Sequence, residues 1–262
     1  MDWLQRMTDF PNFSWKNIAM MLLVACGMAG SGSAQEKPAS APATPSQAAA
    51  DTAASPSEVP PALTEYLGRT IAQTMHYTGG AWLIRTKRDR EEAATLMRDK
   101  LELKAGMMVC DLGCGNGYHT FPMAKAVAPA GKVYGVEIQE PYLKMLEEWA
   151  KKNGVTNFVP VLGSLHDPKV PENTFDIILL VDVYHEFSHP VHMLAAMRKA
   201  LKPDGKIVLV EFRAEDDEVP IKPEHKMAKA QIHKEMNANG LTVVKEFDGL
   251  PWQHMMWFGK TP

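Results

Sequence analysis

The sequence predicts a doubly wound α/β fold, in which a mainly parallel sheet carries helices on both of its faces. From residue 101 onward, short apolar runs rich in β-branched residues alternate with longer amphipathic segments. Helix-ending residues stand between the two kinds of segment, as at Asn153-Gly154 and Asn239-Gly240. The chain has 262 residues, 45% of them hydrophobic, which is enough for one substantial core.

The elements follow one another in a regular order. Five apolar runs predict parallel strands at residues 107–110, 132–136, 158–162, 175–181 and 206–210. Four amphipathic segments predict helices at residues 118–126, 141–152, 191–201 and 223–239, and Pro203-Asp204-Gly205 predicts the turn into the fifth strand. Two last runs, 241–247 and 254–258, flank a turn at Asp248-Gly249 and predict a terminal hairpin.

Residues 1–34 are typical of an export signal. Arg6 and Lys16 precede an apolar run at 18–25 that is too short to cross a hydrocarbon core of about 30 Å. The run ends in Leu23-Val24-Ala25-Cys26-Gly27, which resembles a bacterial lipobox and predicts a lipid on Cys26. Cleavage after Ala34 is the alternative. Either interpretation predicts an extracytoplasmic, periplasmic protein, and the lipid would give it peripheral membrane association.

The segments after the signal differ in composition from the predicted domain at 101–262. Residues 35–61 are rich in Ala, Pro, Ser and Thr and predict a flexible tether, whereas residues 62–100 predict a mostly helical segment beside the core. Cys110 and Cys114 fall in a strand and the turn after it, so two free thiols are expected. A net charge of −3 shows no basic excess, which favours a small-molecule partner over nucleic acid.

A glycine-rich turn follows the first predicted strand, where doubly wound sheets bind their ligands. Gly113, Gly115 and Gly117 permit positive φ and a close approach of ligand to backbone. Asp111 can accept hydrogen bonds that hold the turn, and Glu137, at the end of the next strand, can accept both hydroxyls of a ribose. Nicotinamide-binding turns usually read Gly-x-Gly-x-x-Gly, whereas these glycines alternate strictly.

Four segments in order resemble the class I S-adenosylmethionine-dependent methyltransferases. They are residues 109–117, 134–138, 171–179 and 201–206, and the resemblance spans roughly residues 101–260. It implies a Rossmann-like sheet of strand order 3-2-1-4-5-7-6 with strand 7 antiparallel, and S-adenosylmethionine as cofactor. Residues 77–85 and 181–187 look like an exported bacterial subgroup with this fold.

The resemblance also implies which residues meet the cofactor. They are Asp111, Gly113, Cys114, Gly115, Gly117, Glu137, Ile138, Ser164, Leu165, Asp182 and Tyr77. Many relatives have an aspartate after the third strand that meets the adenine amino group, but this chain has Gly163-Ser164-Leu165. Ser164 is the predicted substitute, with His166 and Asp167 as alternatives. Tyr77, Trp82 and Arg85 could close over the cofactor; alternatively, Trp82 only packs and Arg85, Arg88 and Arg90 form a solvated face.

The exit of the fourth strand supplies the candidate catalytic residues. Methyl transfer from a sulfonium is an in-line displacement, so the enzyme mainly aligns the reactants and needs a base only if the acceptor must lose a proton. The candidates for these roles are Asp182, Tyr184, His185 and Glu186. The alternative is structural: Asp182 caps the next turn and Tyr184 packs against a helix.

Two other functions compete with methyl transfer. The run His185-Glu186-Phe187-Ser188-His189 fits the zinc-peptidase pattern His-Glu-x-x-His. Pro190 disfavours helical geometry at His189, and the run directly follows a buried strand, so we assign no metal site. The second alternative is a non-catalytic protein that binds an adenosine-type ligand and has lost transfer.

Overall fold

The computed structural model describes residues 59–261. Cys26, the predicted signal at 1–34 and nearly all of the predicted tether at 35–61 therefore lie outside the described residues. Seven strands form the main sheet: β1 Met108–Leu112, β2 Lys132–Glu137, β3 Phe158–Leu162, β4 Phe175–Val181, β5 Leu201–Phe212, β6 Leu241–Phe247 and β7 Gln253–Lys260.

The strand order is 3-2-1-4-5-7-6, as the resemblance implies. Strands β1 to β5 pair in parallel, and β7 lies antiparallel between β5 and β6. Strand β4 is almost wholly apolar because helices cover both faces of a doubly wound sheet. The predicted fold class is confirmed.

Six α-helices accompany the sheet in the described part of the chain: α1 Arg88–Glu92, α2 Ala94–Lys100, α3 Thr120–Val127, α4 Glu140–Lys152, α5 Pro190–Ala200 and α6 Lys229–Ala238. Helix α4 shows why they begin and end where they do. Pro141 stands in its first turn beside Glu140, and Lys151 and Lys152 stand in its last, which suits both the fixed φ of proline and the helix dipole.

The core has two apolar layers, one on each side of the sheet. Met197 of α5 and Met236 of α6 pack on one face. Met97 of α2 and Met123 of α3 pack on the other. These methionines fill the gaps between helix and strand, a role for which an unbranched thioether side chain is well suited.

Two predicted boundaries are wrong for identifiable reasons. The predicted turn at residues 203–205 is an irregularity inside β5, because Leu201 already pairs with Phe175 before the ladder resumes at Lys206. The predicted helix at 223–239 is split into a 3₁₀ turn, Pro223–His225, and α6. Met227 breaks it because its buried backbone pairs with Phe212 and Ala214.

The segment at 62–100 begins without a helix. A hairpin of two short strands, Glu65–Tyr66 and Arg69–Thr70, comes first, and a 3₁₀ helix, Tyr77–Ile84, precedes α1. Arg69 binds the segment to the domain through a double contact with Glu235 at 2.7 and 3.0 Å. Cys110 and Cys114 are buried free thiols, as expected. Within residues 59–261, no helix combines the length and apolarity that crossing a membrane requires.

Candidate functional site

A cavity of about 760 Å³ opens at the carboxyl ends of β1, β2 and β4. The turn after β1, the end of β2 and the residues after β4 all line it. Residues 70–75 and 82–83 of the N-terminal segment also line it. The carboxyl ends of the strands beside a reversal of strand order are where this architecture binds ligands, so the structure places the cavity where the sequence predicts a site.

The glycine turn brings bare backbone to the cavity wall. Gly113 and Gly115 have φ of +74° and +51°, which favours glycine. A Cβ on Gly113 would lie 2.6 Å from a methyl carbon of Val183, which follows β4. The turn after β1 and the chain after β4 therefore lie too close together at this point for any larger residue at position 113.

Glu137 joins the turn to the end of β2. Its Oε2 accepts the Gly115 amide at 3.1 Å, and its Oε1 accepts the amides of Ile138 and Gln139 at 2.8 and 3.0 Å. Burial raises the pKa of Glu137, although these three hydrogen bonds oppose the rise. Because a carboxylate offers about four lone-pair positions, Glu137 keeps room for a ligand hydroxyl while holding the turn.

Four predicted cofactor residues do not line the cavity: Asp111, Cys114, Gly117 and Tyr77. Asp111 accepts a hydrogen bond from Thr120 at 2.6 Å, and burial raises its pKa to about 6. Tyr77 contacts α4 instead, since its carbonyl accepts the Tyr142 hydroxyl at 3.2 Å. These residues stabilise the surroundings of the cavity without lining it.

Three predicted cofactor residues, including Ser164, the one predicted to meet adenine, line another part of the cavity. Ile138, Ser164 and Leu165 line it, and the exposed fraction of Leu165 is 48%, which leaves an apolar surface for a ring. His166 and Asp167 do not line the cavity. The Ser164 hydroxyl is engaged in a local turn with the backbone of Asp167, so its free capacity to bind a base is small.

Asp182 lies directly after β4 in an unusual conformation. Its φ is +54°, a left-handed value that costs of order 1–3 kcal/mol in a residue other than glycine. One carboxylate oxygen accepts the Gln253 amide at 2.7 Å, whereas the other is buried without a hydrogen-bond partner in the described structure. Burial raises the pKa of Asp182 well above its usual range. A strained carboxyl with a free oxygen on the cavity wall is suited to a ligand.

His185 forms the centre of a polar cluster that also lines the cavity. Its Nδ1 lies 2.6 Å from an oxygen of Glu211, and its Nε2 lies 3.0 Å from Nδ1 of His225. Burial acts to lower the pKa of His185, but the charge and hydrogen bond of Glu211 outweigh it and raise the pKa. Burial raises the pKa of Glu186 to about 7, and burial lowers that of His225.

Tyr184 faces away from the cavity. It is fully buried, and its hydroxyl donates to Glu235 at 2.7 Å beside Arg69. The structural alternative for Tyr184 therefore fits its position. Tyr184 contacts helix α6 through Glu235, and Glu235 also forms an ion pair with Arg69. Asp182, His185 and Glu186, the other candidate catalytic residues, do line the cavity.

The zinc-peptidase pattern is not formed as one helical face. His185 and Glu186 belong to a short 3₁₀ turn, Tyr184–Glu186, while His189 lies immediately before α5. His189 instead bonds Ser188 and the carbonyl of Pro60. Since the two histidines do not converge, the His-Glu-x-x-His interpretation is wrong.

Several site residues escaped the sequence analysis. Arg88 and Glu92 form a buried ion pair at 2.8 Å on the cavity wall, so Arg88 is not part of a solvated face. Arg85 instead packs over the Trp82 ring at 3.6 Å. Glu211 stands at the end of β5. The rule that polar residues at strand carboxyl ends face the ligand, which points to Asp182, would also have found Glu211. His225 has no local signal, because only the fold brings it to His185.

Comparison with known proteins gives the same family as the motifs. A family model described as a methyltransferase domain matches residues 103–258. A demethylmenaquinone methyltransferase of Anoxybacillus flavithermus is 30% identical over 112 residues, covering 43% of this chain and 47% of the relative. A nocamycin O-methyltransferase of Saccharothrix syringae is 31% identical over 116 residues, covering 44% and 41%. This chain thus spans about half or less of these curated relatives.

The solved structures agree on the fold. A SAM-dependent methyltransferase from Aquifex aeolicus superposes with a TM-score of 0.66 at 22% identity, over 71% of this chain and 98% of that one. The family model covers more than half of the chain and includes the glycine turn, Glu137 and the residues after β4. This chain therefore belongs to the class I S-adenosylmethionine-dependent methyltransferase family.

Proposed function

We propose that this protein transfers the methyl group of S-adenosylmethionine to a small-molecule acceptor that gives up a proton. The observation that carries the proposal is that one cavity is lined both by the glycine turn with Glu137 and by the cluster of His185, Glu186 and His225. A donor held at the turn would therefore share this cavity with an acceptor held at the cluster.

The residues present fit the cofactor. Gly113 and Gly115 bring backbone to the cavity wall, Glu137 has capacity for a ribose hydroxyl, and Asp182 lines the same cavity with one carboxyl oxygen that has no hydrogen-bond partner. Leu165 and Ile138 provide apolar contact for the base. When bound, the cofactor supplies an electrophilic methyl group on a sulfonium sulfur.

The chain's own contribution is then alignment and desolvation. The N-terminal segment lines the cavity and is held beside the end of β2, since Gln139 bonds both the Tyr77 amide at 2.7 Å and the Met75 carbonyl at 3.0 Å. A dry, preorganised site strengthens the electrostatic contacts made to the reactants. The polar cluster after β4 would orient the acceptor and take part in its loss of a proton.

A small acceptor is favoured by the size of the cavity and by the charge of the chain. The cavity of about 760 Å³ has the size of a small-molecule site. The net charge of −3 also provides no excess of basic residues for a phosphate backbone. The relatives' names include demethylmenaquinone, nocamycin and a tRNA base, so the acceptor of this chain does not follow from them.

Calorimetry with S-adenosylmethionine and with its demethylated product tests the donor site. The Gly115→Val variant is expected to lose binding of both, because a branched residue is strained at φ +51° and its Cβ would lie 2.9 Å from Leu83, so the turn and the cavity wall would have to shift. Gly154→Val is the matched control: Gly154 also has a positive φ, of +67°, but a Cβ there meets nothing within 4 Å. Unchanged affinity in Gly115→Val would refute the proposed site, and binding without transfer to any acceptor would refute turnover.

We also propose that the protein is exported and anchored through a lipid on Cys26. The support is the charged and apolar pattern of residues 1–34 and its lipobox-like end. Cells fed labelled palmitate are expected to label the wild-type protein but not Cys26→Ser. Label that persists in the variant would place the lipid elsewhere or exclude this anchor.

A further inference from the structure

We infer that His185, Glu186 and His225 form a binding site for a divalent transition-metal ion, with zinc as the best-matched ion. Their three donor atoms, one from each residue, all lie within 4.8 Å of one another. Two histidines and one glutamate are a known ligand set of catalytic zinc, which leaves a fourth position for water or substrate. This site differs from the His-Glu-x-x-His pattern, because His225 takes the place of His189.

The two imidazoles already face each other as ligands would. Nε2 of His185 and Nδ1 of His225 are 3.0 Å apart, whereas two nitrogens bound tetrahedrally at about 2.0–2.1 Å from zinc would be about 3.3 Å apart. The Glu186 Oε1 lies 4.0 Å from His185 Nε2, and since all three donor atoms lie within 4.8 Å of one another, the carboxylate must approach by about 1.5 Å at most. Without a cation, one of these two nitrogens must carry a hydrogen and donate a hydrogen bond to the other.

The partner of the remaining His185 nitrogen supports the assignment. Glu211 is fully buried and lies 2.6 Å from Nδ1 of His185, so it accepts a proton held on that nitrogen and, in the neutral ring, leaves the Nε2 lone pair free for a metal ion. A carboxylate bound to the far nitrogen of a histidine ligand is the usual second contact of zinc sites. Glu211 also accepts the Tyr184 amide at 2.8 Å, which fixes its own orientation.

The site opens toward the reacting end of the cavity. All three ligands line the cavity that also contains the glycine turn. The side chains of His185 and Glu186 are only 2% and 14% exposed, whereas His225 is half-buried, so solvent reaches the site from the side of His225. Because all three ligands line the cavity, the open coordination position would face the acceptor.

The use of the metal in catalysis rests on the proposed function. An acceptor hydroxyl or thiol bound at the open position would release its proton to solvent, because a bound cation lowers its pKa. A lone pair on that oxygen or sulfur would then form the bond to the methyl carbon. The bond from that carbon to the sulfonium breaks, and its electron pair stays on sulfur, so nothing is oxidised or reduced.

The test is zinc binding by the chelator-treated full chain, measured by calorimetry and by metal analysis after dialysis. We expect one zinc per chain, with affinity lowered at least 100-fold in His225→Ala and Glu186→Gln. Glu211→Gln is expected to lower it 10- to 100-fold, the usual effect of losing the second contact. Magnesium, which prefers an all-oxygen site, is expected not to compete.

His192→Ala is the matched control, since His192 is an exposed histidine near His189 and outside the cluster. It should bind zinc like the wild type. Cobalt absorption gives a second readout: tetrahedral bands should form in the wild type and vanish in Glu186→Gln, with the fold of each variant checked by circular dichroism. Failure to bind zinc, or binding that only His192→Ala removes, would overturn the inference. Zinc binding without cofactor binding would uphold the metal site and refute methyl transfer.

Discussion

Replacing Tyr184 with Phe is expected to destabilise the protein while leaving the donor site intact. The Tyr184 hydroxyl is fully buried and donates to the carboxylate of Glu235, which is itself fully buried. The ring of Tyr184 packs with Phe187 and beneath Arg69, and phenylalanine would preserve these contacts. The change therefore removes one hydrogen bond to a charged group and little else.

The magnitude follows from what Glu235 retains. In the variant it still accepts from Arg69 through two nitrogens and from Gln231 at 2.8 Å, so the carboxylate does not become an unpaired buried charge. A hydrogen bond to a charged group contributes about 1.5–3 kcal/mol. We expect a loss of about 2 kcal/mol in the free energy of unfolding, or about 1 M in the urea midpoint for a domain of this size.

Urea unfolding followed by circular dichroism measures this loss, and calorimetry with S-adenosylmethionine measures the donor site. Tyr66→Phe is the control, because Tyr66 is less buried and its hydroxyl accepts from a neutral amide of Asn239 at 2.8 Å. We expect it to cost less than Tyr184→Phe. A Tyr184→Phe variant of unchanged stability that no longer bound the cofactor would refute the structural role and restore the catalytic one.

Three further predictions concern buried groups. Folding raises the pKa of Asp111 from 3.8 to about 6. Between about pH 4 and pH 6 the native state therefore keeps a proton that the unfolded chain has already lost. The free energy of unfolding should fall by about 3 kcal/mol as the pH rises through this range. Asp111→Asn should lack this loss, so its stability relative to wild type should increase over that range in urea titrations, and a pH-independent difference would contradict the assignment. Arg69→Met should cost about 3–5 kcal/mol of unfolding free energy, since it leaves the buried charge of Glu235 without its cation; a near-neutral result would show that Gln231 and Tyr184 suffice. Cys110 and Cys114 should resist a thiol reagent until the protein unfolds, because burial raises the pKa of both thiols; peptide mapping that finds early modification at either would show that the first strand opens.

Much of the fold could be predicted because its signals are local. The apolar runs that become β1 to β4 stand close to their predicted positions, and the helix stops at Asn153-Gly154 and Asn239-Gly240 act through the backbone of those residues themselves. The misplaced boundaries lie where a distant partner decides the conformation. Met227 is helical by pattern, but its pairing with Phe212 keeps it extended.

The candidate site shows the same contrast between local signals and distant partners, and its donor side depends on local signals. Gly113, Gly115 and Glu137 were found because a strand, a turn and the next strand lie close together in sequence. The acceptor side could be predicted only in part. Asp182, His185 and Glu186 follow from the rule on strand ends, but their neighbours Gln253, Glu211 and His225 come from strands and turns far along the chain.

The sequence by itself thus determined the order of strands and helices, the glycine turn and the family, since each depends on residue type and short spacing. Only the tertiary structure decided which side chains of the β4 exit face the cavity. Tyr184 and His185 are adjacent in sequence, yet Tyr184 lies on Glu235 and His185 lies on Glu211 and His225. The physical reason is that a buried polar side chain must find a partner, and those partners are 26 to 51 residues away.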